Sequence, residues 1–320
     1  MDEKVAGQAE MLGNRVKKRY RHLLKWAKRS GTNAFRLYDR DIPEIPLVLD
    51  LYDDAVSGAL YSRPYEKDPG EEALWLQAMR TAVAQGLGLA EGNVFLKERQ
   101  RIRFRQESGE QYGRLSEQGC WRDVREGDMV FRVNLSDYLD TGLFLDARTR
   151  RALIRTEAGG KRVLNLFAYT CSVSVAAAKG GARQVDSVDL SNTYLEWGRT
   201  NFALNGLAEP SLIREDALQF ISRAAQERQC WDIIVLDPPS FSNSKKMRAT
   251  LDTRRDYHDL IHNCLSLLAP GGTLWFSTGA KGISLDSTDF PNCTVKDMRP
   301  TLVDEDFKDK RMPACYTLTL

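Results

Sequence analysis

Histidine is scarce in this chain of 320 residues: His22, His258 and His262 are all it has. Cys120, Cys171, Cys230, Cys264, Cys293 and Cys315 never fall into a Cys-x-x-Cys pair. That spacing excludes the common zinc modules and fits reduced thiols better than a disulfide framework. His258 and His262 stand one helical turn apart with Asp259 between them, but the acid is wrong for His-Glu-x-x-His and no third ligand is evident. No metal is expected. No stretch approaches the ~18 apolar residues of a membrane span. The opening run, Met1 to Glu10, is acidic and polar, unlike a secretory signal. A cytoplasmic protein without a membrane partner is expected. Gly-x-Gly-x-x-Gly and Gly-Lys-Ser/Thr are both missing, which argues against NAD, FAD and a P-loop. Acids, too, are missing from Leu12 to Tyr38, where nine cations fall. A net charge of only +2 hides this asymmetry, which points to a polyanion such as nucleic acid.

The length allows about two domains, and 42% apolar residues suffice for packed cores. Val16, Tyr20, Leu23, Leu24 and Ala27 recur at the spacing of one helical face, predicting a helix over 14–29. Its cations, among them Arg15, Lys18, Arg19 and Lys25, would face phosphates. Residues 1–44 thus read as a basic helix and linker. Residues 45–137 read as a smaller α+β substrate-binding region, with strands at 47–52 and 55–61, a helix at 71–85 and a hairpin at 119–135. Within it Arg99, Arg101, Arg103 and Arg105 alternate with Gln100, Ile102 and Phe104. A strand there would line four guanidiniums along one face. Such a face suits phosphate contacts; the plainer reading is an edge strand protected by charge.

From 138 to 320 the pattern changes to alternating strands and helices. Strands are predicted at 162–165, 185–189, 211–214, 232–237 and 272–277, with helices at 172–179, 191–204, 216–227 and 252–268. This alternation predicts a doubly wound, mostly parallel α/β sheet of Rossmann-like form. Segments 295–299 and 314–319 read as a closing β-hairpin.

Three acids fall at successive strand ends. Asp189 follows Asn165 by 24 residues, where a ribose-binding carboxylate belongs, with Leu190 beside it. Asp216, followed by Ala217, is placed to meet an adenine amino group. Asp237 opens Asp-Pro-Pro-Ser-Phe241. Its two prolines stiffen the turn, so that an acid and a ring are held at a sheet edge, an arrangement suited to a planar base. The plainer reading of Asp189 and Asp216 is helix capping. Ribose and adenine contacts without a pyrophosphate cradle describe S-adenosyl-L-methionine. Asn165 and the Phe167–Thr170 loop, including Tyr169, would hold its methionine end. Asp146 and Arg148 would close over it.

These runs resemble the class I S-adenosylmethionine-dependent RNA methyltransferases. More closely, the chain is similar to the C-terminal half of the RlmKL family of bacterial bifunctional 23S rRNA methyltransferases. The resemblance rests on Arg36 to Glu44, Val133 to Arg148, Val163 to Thr170, Val188 to Trp197, Asn201 to Leu207 and Asp237 to Met247, and it covers most of the chain from Asn14 onward. It implies N7 methylation of a guanine in helix 74 of 23S rRNA or its precursor. It also implies a companion N2-guanine methyltransferase half with a THUMP module, which this sequence does not contain. Asp237 and Phe241 would hold the guanine, with Lys245 and Lys246 on the RNA. A sister family makes 5-methylcytosine with a Phe-Ser-Cys nucleophile; here the run is Trp275-Phe-Ser-Thr278, which lacks the thiol. Cys171 stands where the family usually has glycine, and Thr278-Gly279-Ala280 stands where it has Asn-Asn-Lys. Two other readings remain open: a non-catalytic RNA-binding assembly factor on this fold, and methylation of an exocyclic amine or cytosine C5.

Overall fold

The computed structural model describes residues 2–61, 68–98, 116–242, 250–307 and 312–320. The chain divides into two compact units, Met1–Leu145 and Asp146–Leu320. That division falls later than the composition shift near 138, and it leaves no separate N-terminal segment.

In the first unit, helix α1 (Glu3–Arg29) is longer than its apolar period suggested. Gly7 and Gly13 blur the pattern, yet Leu12 and Val16 are fully buried and Asp2 caps the N-terminus by accepting from the Lys4 N–H. The helix therefore belongs to the unit's core, packed with Trp75, Met79 and Val83 of α2 (Pro69–Leu87). Strands β1 (Ala34–Asp39), β2 (Leu47–Tyr52), β3 (Ala55–Leu60) and β4 (Val94–Glu98) form a sheet in that order. The first three pair antiparallel, and β4 joins β3 in parallel after the α2 crossover. Strands β5 (Trp121–Glu126) and β6 (Met129–Asn134) make the expected hairpin. Just past it, the buried carboxylate of Asp137 accepts from the Gly119 N–H, the Ser116 and Ser136 hydroxyls and Asn134 Nδ2. Burial alone would raise its pKa, but these hydrogen bonds together hold it well below the usual carboxylate range.

The second unit is the α/β sheet. Its strands are β7 (Arg162–Leu166), β8 (Gln184–Asp189), β9 (Ser211–Arg214), β10 (Trp231–Leu236), β13 (Leu268–Thr278), β14 (Thr294–Asp297) and β15 (Ala314–Thr319). They run in the order β14-β15-β13-β10-β7-β8-β9. Pairs from β13 through β9 are parallel, and β15 and β14 close the edge antiparallel. Two short strands, β11 (Phe241–Ser242) and β12 (Leu251–Asp252), pair off the sheet. Helices α3 (Arg148–Glu157), α4 (Ser172–Lys179), α5 (Asn192–Leu204), α6 (Ala217–Gln226) and α7 (Thr253–Leu265) cover the faces. Ile233, Ile234, Val235 and Leu236 are fully buried, which explains their unbroken apolar run: a central parallel strand has a core on both sides. Among the described residues, no helix is long and apolar enough to cross a membrane.

Candidate active site

The strand order reverses between β7 and β10. From β7 the chain steps to β8, and from β10 it steps the other way to β13. With right-handed crossovers the two connections leave on opposite faces, so the C-terminal ends of β7 and β10 border a crevice. Register levels those ends: Leu166 lies beside Leu236 and Val188, and Leu236 beside Phe276. The next residues, Phe167, Asp189, Asp237 and Ser277, emerge along one edge.

After β7, Phe167, Tyr169 and Cys171 have φ of 57°, 51° and 60°. Left-handed backbone at a non-glycine residue costs on the order of 1 kcal/mol or more. The loop's N–H groups are taken up within the protein: Ala168 donates to the Val188 carbonyl at 2.9 Å and Cys171 to the Ala168 carbonyl at 2.8 Å. Asp189 takes the Tyr169 N–H: Oδ2 accepts from it at 2.9 Å, and Oδ1 accepts from the Ser191 N–H at 2.8 Å. Burial pushes the Asp189 carboxyl up to about 6, against the opposing N–H groups of Ser191, Tyr169 and Leu190. The Tyr169 ring meets Tyr194 edge-on at 4.6 Å. Asp216 caps α6: its Oδ1 accepts from the Leu218 and Gln219 N–H groups at 3.0 and 3.2 Å. Its Oδ2 has no hydrogen-bond partner among the described residues. The capping reading and an acceptor role coexist in one carboxylate.

Some expected residues point elsewhere. Asn165 is only 2% exposed, and its Nδ2 donates to Ser174 Oγ at 2.9 Å, as does Ser187 Oγ at 2.8 Å. It faces α4 and braces the loop from below rather than lining the edge. Thr170 is fully buried, and its carbonyl accepts from Asn201 Nδ2 at 2.9 Å. Ala217 is buried as the first residue of α6, while Leu190 and Asp146 are half-buried. Arg148 is drawn into carboxylates, with Nη1 at 2.9 Å from Asp304 and 3.0 Å from Asp306. It pins the segment before β15. In the first unit, Arg15 is ion-paired with Asp41 at 2.8 Å, since the turn after β1 brings that acid against α1; Lys18 and Lys25 are exposed and Arg19 is half-exposed. Arg99, Arg101, Arg103, Lys245 and Lys246 lie outside the described residues.

The sequence reading missed one residue. Arg150, on α3 and 6% exposed, reaches the strand ends from below. Its Nη2 lies 2.6 Å from Asp237 Oδ2, and its Nη1 donates to Ser277 Oγ. Asp237 is thus clamped by one oxygen, and its side chain keeps 34% exposure. The available signal was the cluster Arg148, Arg150 and Arg151 on a short helix, too many cations for one solvated face. The two prolines are clamped as well. The Pro238 carbonyl accepts from Thr278 Oγ1 at 3.3 Å, and the Pro239 carbonyl from Thr253 Oγ1 at 2.7 Å. Thr278 therefore holds the turn. Phe241 follows, half-buried and paired with Asp252. Cys315 lies beside Arg150, but burial pushes its thiol up to about 12. Burial raises Cys171 to the same degree, so neither is a ready nucleophile.

Residues 40–290 match the family model of the S-adenosylmethionine-dependent methyltransferases. The chain belongs to that family. Its cofactor is S-adenosylmethionine. It is 43% identical over 307 residues to the ribosomal RNA large subunit methyltransferase K of Neisseria meningitidis, covering 95% of this chain and 86% of that protein. It is also 42% identical over 299 residues to the methyltransferase K/L of Pseudomonas fluorescens, covering 93% of this chain but 39% of that protein. The chain thus spans about two fifths of the K/L relatives it matches. Among solved structures, the methyltransferase SMU.776, complexed with SAH, superposes with a TM-score of 0.76 at 24% identity, over 98% of this chain and 82% of that one. That likeness supports the fold. The donor set at the edge fits the cofactor. Asp189 keeps acceptor lone pairs beyond its N–H contacts, and Asp216 keeps an oxygen.

Proposed function

We propose that this chain methylates N7 of a guanine in large-subunit rRNA, at helix 74 of 23S rRNA or its precursor. The observation that carries the reading is the Arg150 clamp on Asp237. It presents a fixed hydrogen-bond acceptor at the strand end, matched to the N1–H and N2–H edge of guanine. Guanine N7 carries a lone pair and no proton, so alignment, not proton removal, is the main requirement; alignment can contribute on the order of 7–11 kcal/mol. Bound S-adenosylmethionine supplies an electrophilic methyl on a sulfonium. Asp189 holds its ribose hydroxyls, Asp216 its adenine amine, and the Phe167–Thr170 loop its methionine end. Phe241 stacks on the extruded guanine, offsetting part of the few kcal/mol that unstacking costs. The names of the relatives support a large-subunit rRNA substrate. Thr278, bonded to the Pro238 carbonyl, weighs against cytosine C5 chemistry, which needs a thiolate there.

The test incubates the protein with S-adenosylmethionine and unmodified 23S rRNA and identifies methylated nucleosides by mass spectrometry. 7-Methylguanosine is the expected product, lost in Asp237→Ala while cofactor affinity stays within a few fold. A methylated amine or cytosine in its place refutes the N7 assignment. Loss of cofactor binding in Asp237→Ala refutes the base-edge role.

A further inference from the structure

The first unit contains a cleft of about 460 Å³, lined by Tyr20, Leu24 and Lys28 of α1, Phe35 and Leu51 of the sheet, and the Asn33, Asp53, Arg125 and Gly127 turns. Its volume falls in the ~300–1,000 Å³ range of small-molecule sites. One wall is aromatic: Tyr20, half-exposed, stacks on the buried Phe35 at 6.3 Å and 15°. Phe35 is fixed from behind by the edge of Trp26 at 6.2 Å. The polar wall is pre-set. Asn33 donates to Asp53 Oδ1 at 3.0 Å and accepts from the Arg125 N–H at 2.6 Å, and Thr32 Oγ1 donates to the Arg125 carbonyl at 3.0 Å. Gly31 and Gly127, both at positive φ, approach so closely that a Cβ on Gly31 would lie 3.2 Å from Gly127 Cα.

Cations flank the opening. Lys28 and Arg125 are exposed on its two sides, and Lys17, Arg21 and Lys25 are exposed along the same helix. None of these five side chains has a carboxylate partner among the described residues. An aromatic platform between unneutralised cations matches a single-stranded nucleotide: the ring takes the base and the cations take the flanking phosphates. We propose that this cleft binds one unstacked base of single-stranded RNA, with Tyr20 as its stacking platform and Lys28 and Arg125 on the adjoining phosphates. Asp53, at the rim, favours a base with an amino group. The proposal deepens the rRNA reading above and rests on it for the identity of the RNA.

The test measures binding of a single-stranded 12-nucleotide RNA carrying 2-aminopurine to the full chain, without S-adenosylmethionine, across a salt series. Tyr20→Leu keeps apolar packing and removes the stacking ring. It should weaken binding about 5- to 100-fold and abolish 2-aminopurine quenching, with the salt slope unchanged. Tyr20→Phe should restore both. Lys28→Ala should lower the slope by about 0.7 while leaving the quench at saturation. Equal affinity and quench in wild type and Tyr20→Leu, at matched melting temperature, overturns the proposal. So does displacement of the RNA by poly-glutamate at comparable concentration with Tyr20→Leu silent, which would make the cleft a protein-docking site. Because no cofactor is present, failure here leaves the methylation assay to be judged separately. Conversely, Tyr20-dependent RNA binding with no methylated product would overturn the enzyme reading and spare the cleft.

Discussion

Lowering the pH from 7 to 5 should weaken cofactor binding about tenfold through one residue. Asp189 has its pKa pushed up to about 6 by burial in the free protein. Ribose hydroxyls donate to a carboxylate, so binding selects the ionised form. Below pH 6 the site must first lose a proton, and affinity falls by up to tenfold for each further unit, about 1.4 kcal/mol. Stability of the free protein moves the other way. The folded carboxyl is raised from 3.8 toward about 6, so its stabilising contribution is full below pH 4 and lost as pH rises through 6. The ceiling is about 3 kcal/mol, at 1.36 kcal/mol per unit. Titration calorimetry with S-adenosylhomocysteine at pH 7, 6 and 5, alongside melting curves of the free protein, reads both. Asp189→Asn should bind weakly at every pH and show neither trend. An affinity flat from pH 7 to 5, or one equally pH-dependent in Asp189→Asn, would refute the ribose assignment.

Arg150→Met should lower methyl transfer ten- to a hundredfold while S-adenosylhomocysteine affinity stays within about threefold, because the clamp on Asp237 is lost; stability should fall by about 1–3 kcal/mol, moderated because Asp237 can hydrate. Arg150→Lys should not rescue activity, since one ammonium cannot serve Ser277 and Asp237 as two guanidinium nitrogens do. Asp137→Ala should destabilise the first unit by about 2–4 kcal/mol by orphaning the donors around it, measured by urea unfolding at pH 7. Its depressed pKa means that this contribution holds above pH 4 and fades as pH falls below that. Iodoacetamide at pH 8 should label the exposed Cys230 and spare the buried Cys171, Cys264 and Cys315, as peptide mapping would show.

The second unit was legible because its signals are local. A buried parallel strand reads as an apolar run, as in Ile233 to Leu236 before Asp237, while β8 and β9 follow from strand–helix alternation. What was not legible depended on contacts distant in sequence. Nothing adjacent to Asn165 says that its amide turns inward to Ser174. Strand alternation allowed either face. Arg150 lies 87 positions from Asp237, and only the register of Leu236 with Phe276 brings Asp237 and Ser277 to one guanidinium. Arg15 was read as a phosphate ligand because α1 carries so many cations, but a turn across the unit supplies Asp41. The start of α1 was missed because Gln8 and Gly13, neither of them a large apolar residue, stand on the face that tertiary packing keeps buried.

Cys171 and Gly198 occupy what is in effect a single volume. A Cβ on Gly198 would lie 2.5 Å from Cys171 Sγ and 2.9 Å from Cys171 Cβ. The Cys171 side chain, on the loop after β7, is thus admitted by a glycine one helix away. The two positions are an exchange of bulk across the α5–loop contact, so substitutions at either are conditional on the other. Gly198→Ala should be severely destabilising alone and nearly neutral beside Cys171→Gly, a coupling that a double-mutant cycle reads directly. Cys171 is therefore half of a matched pair, and a graft of this loop onto another chain of this fold would carry its shape only if the glycine travelled with it.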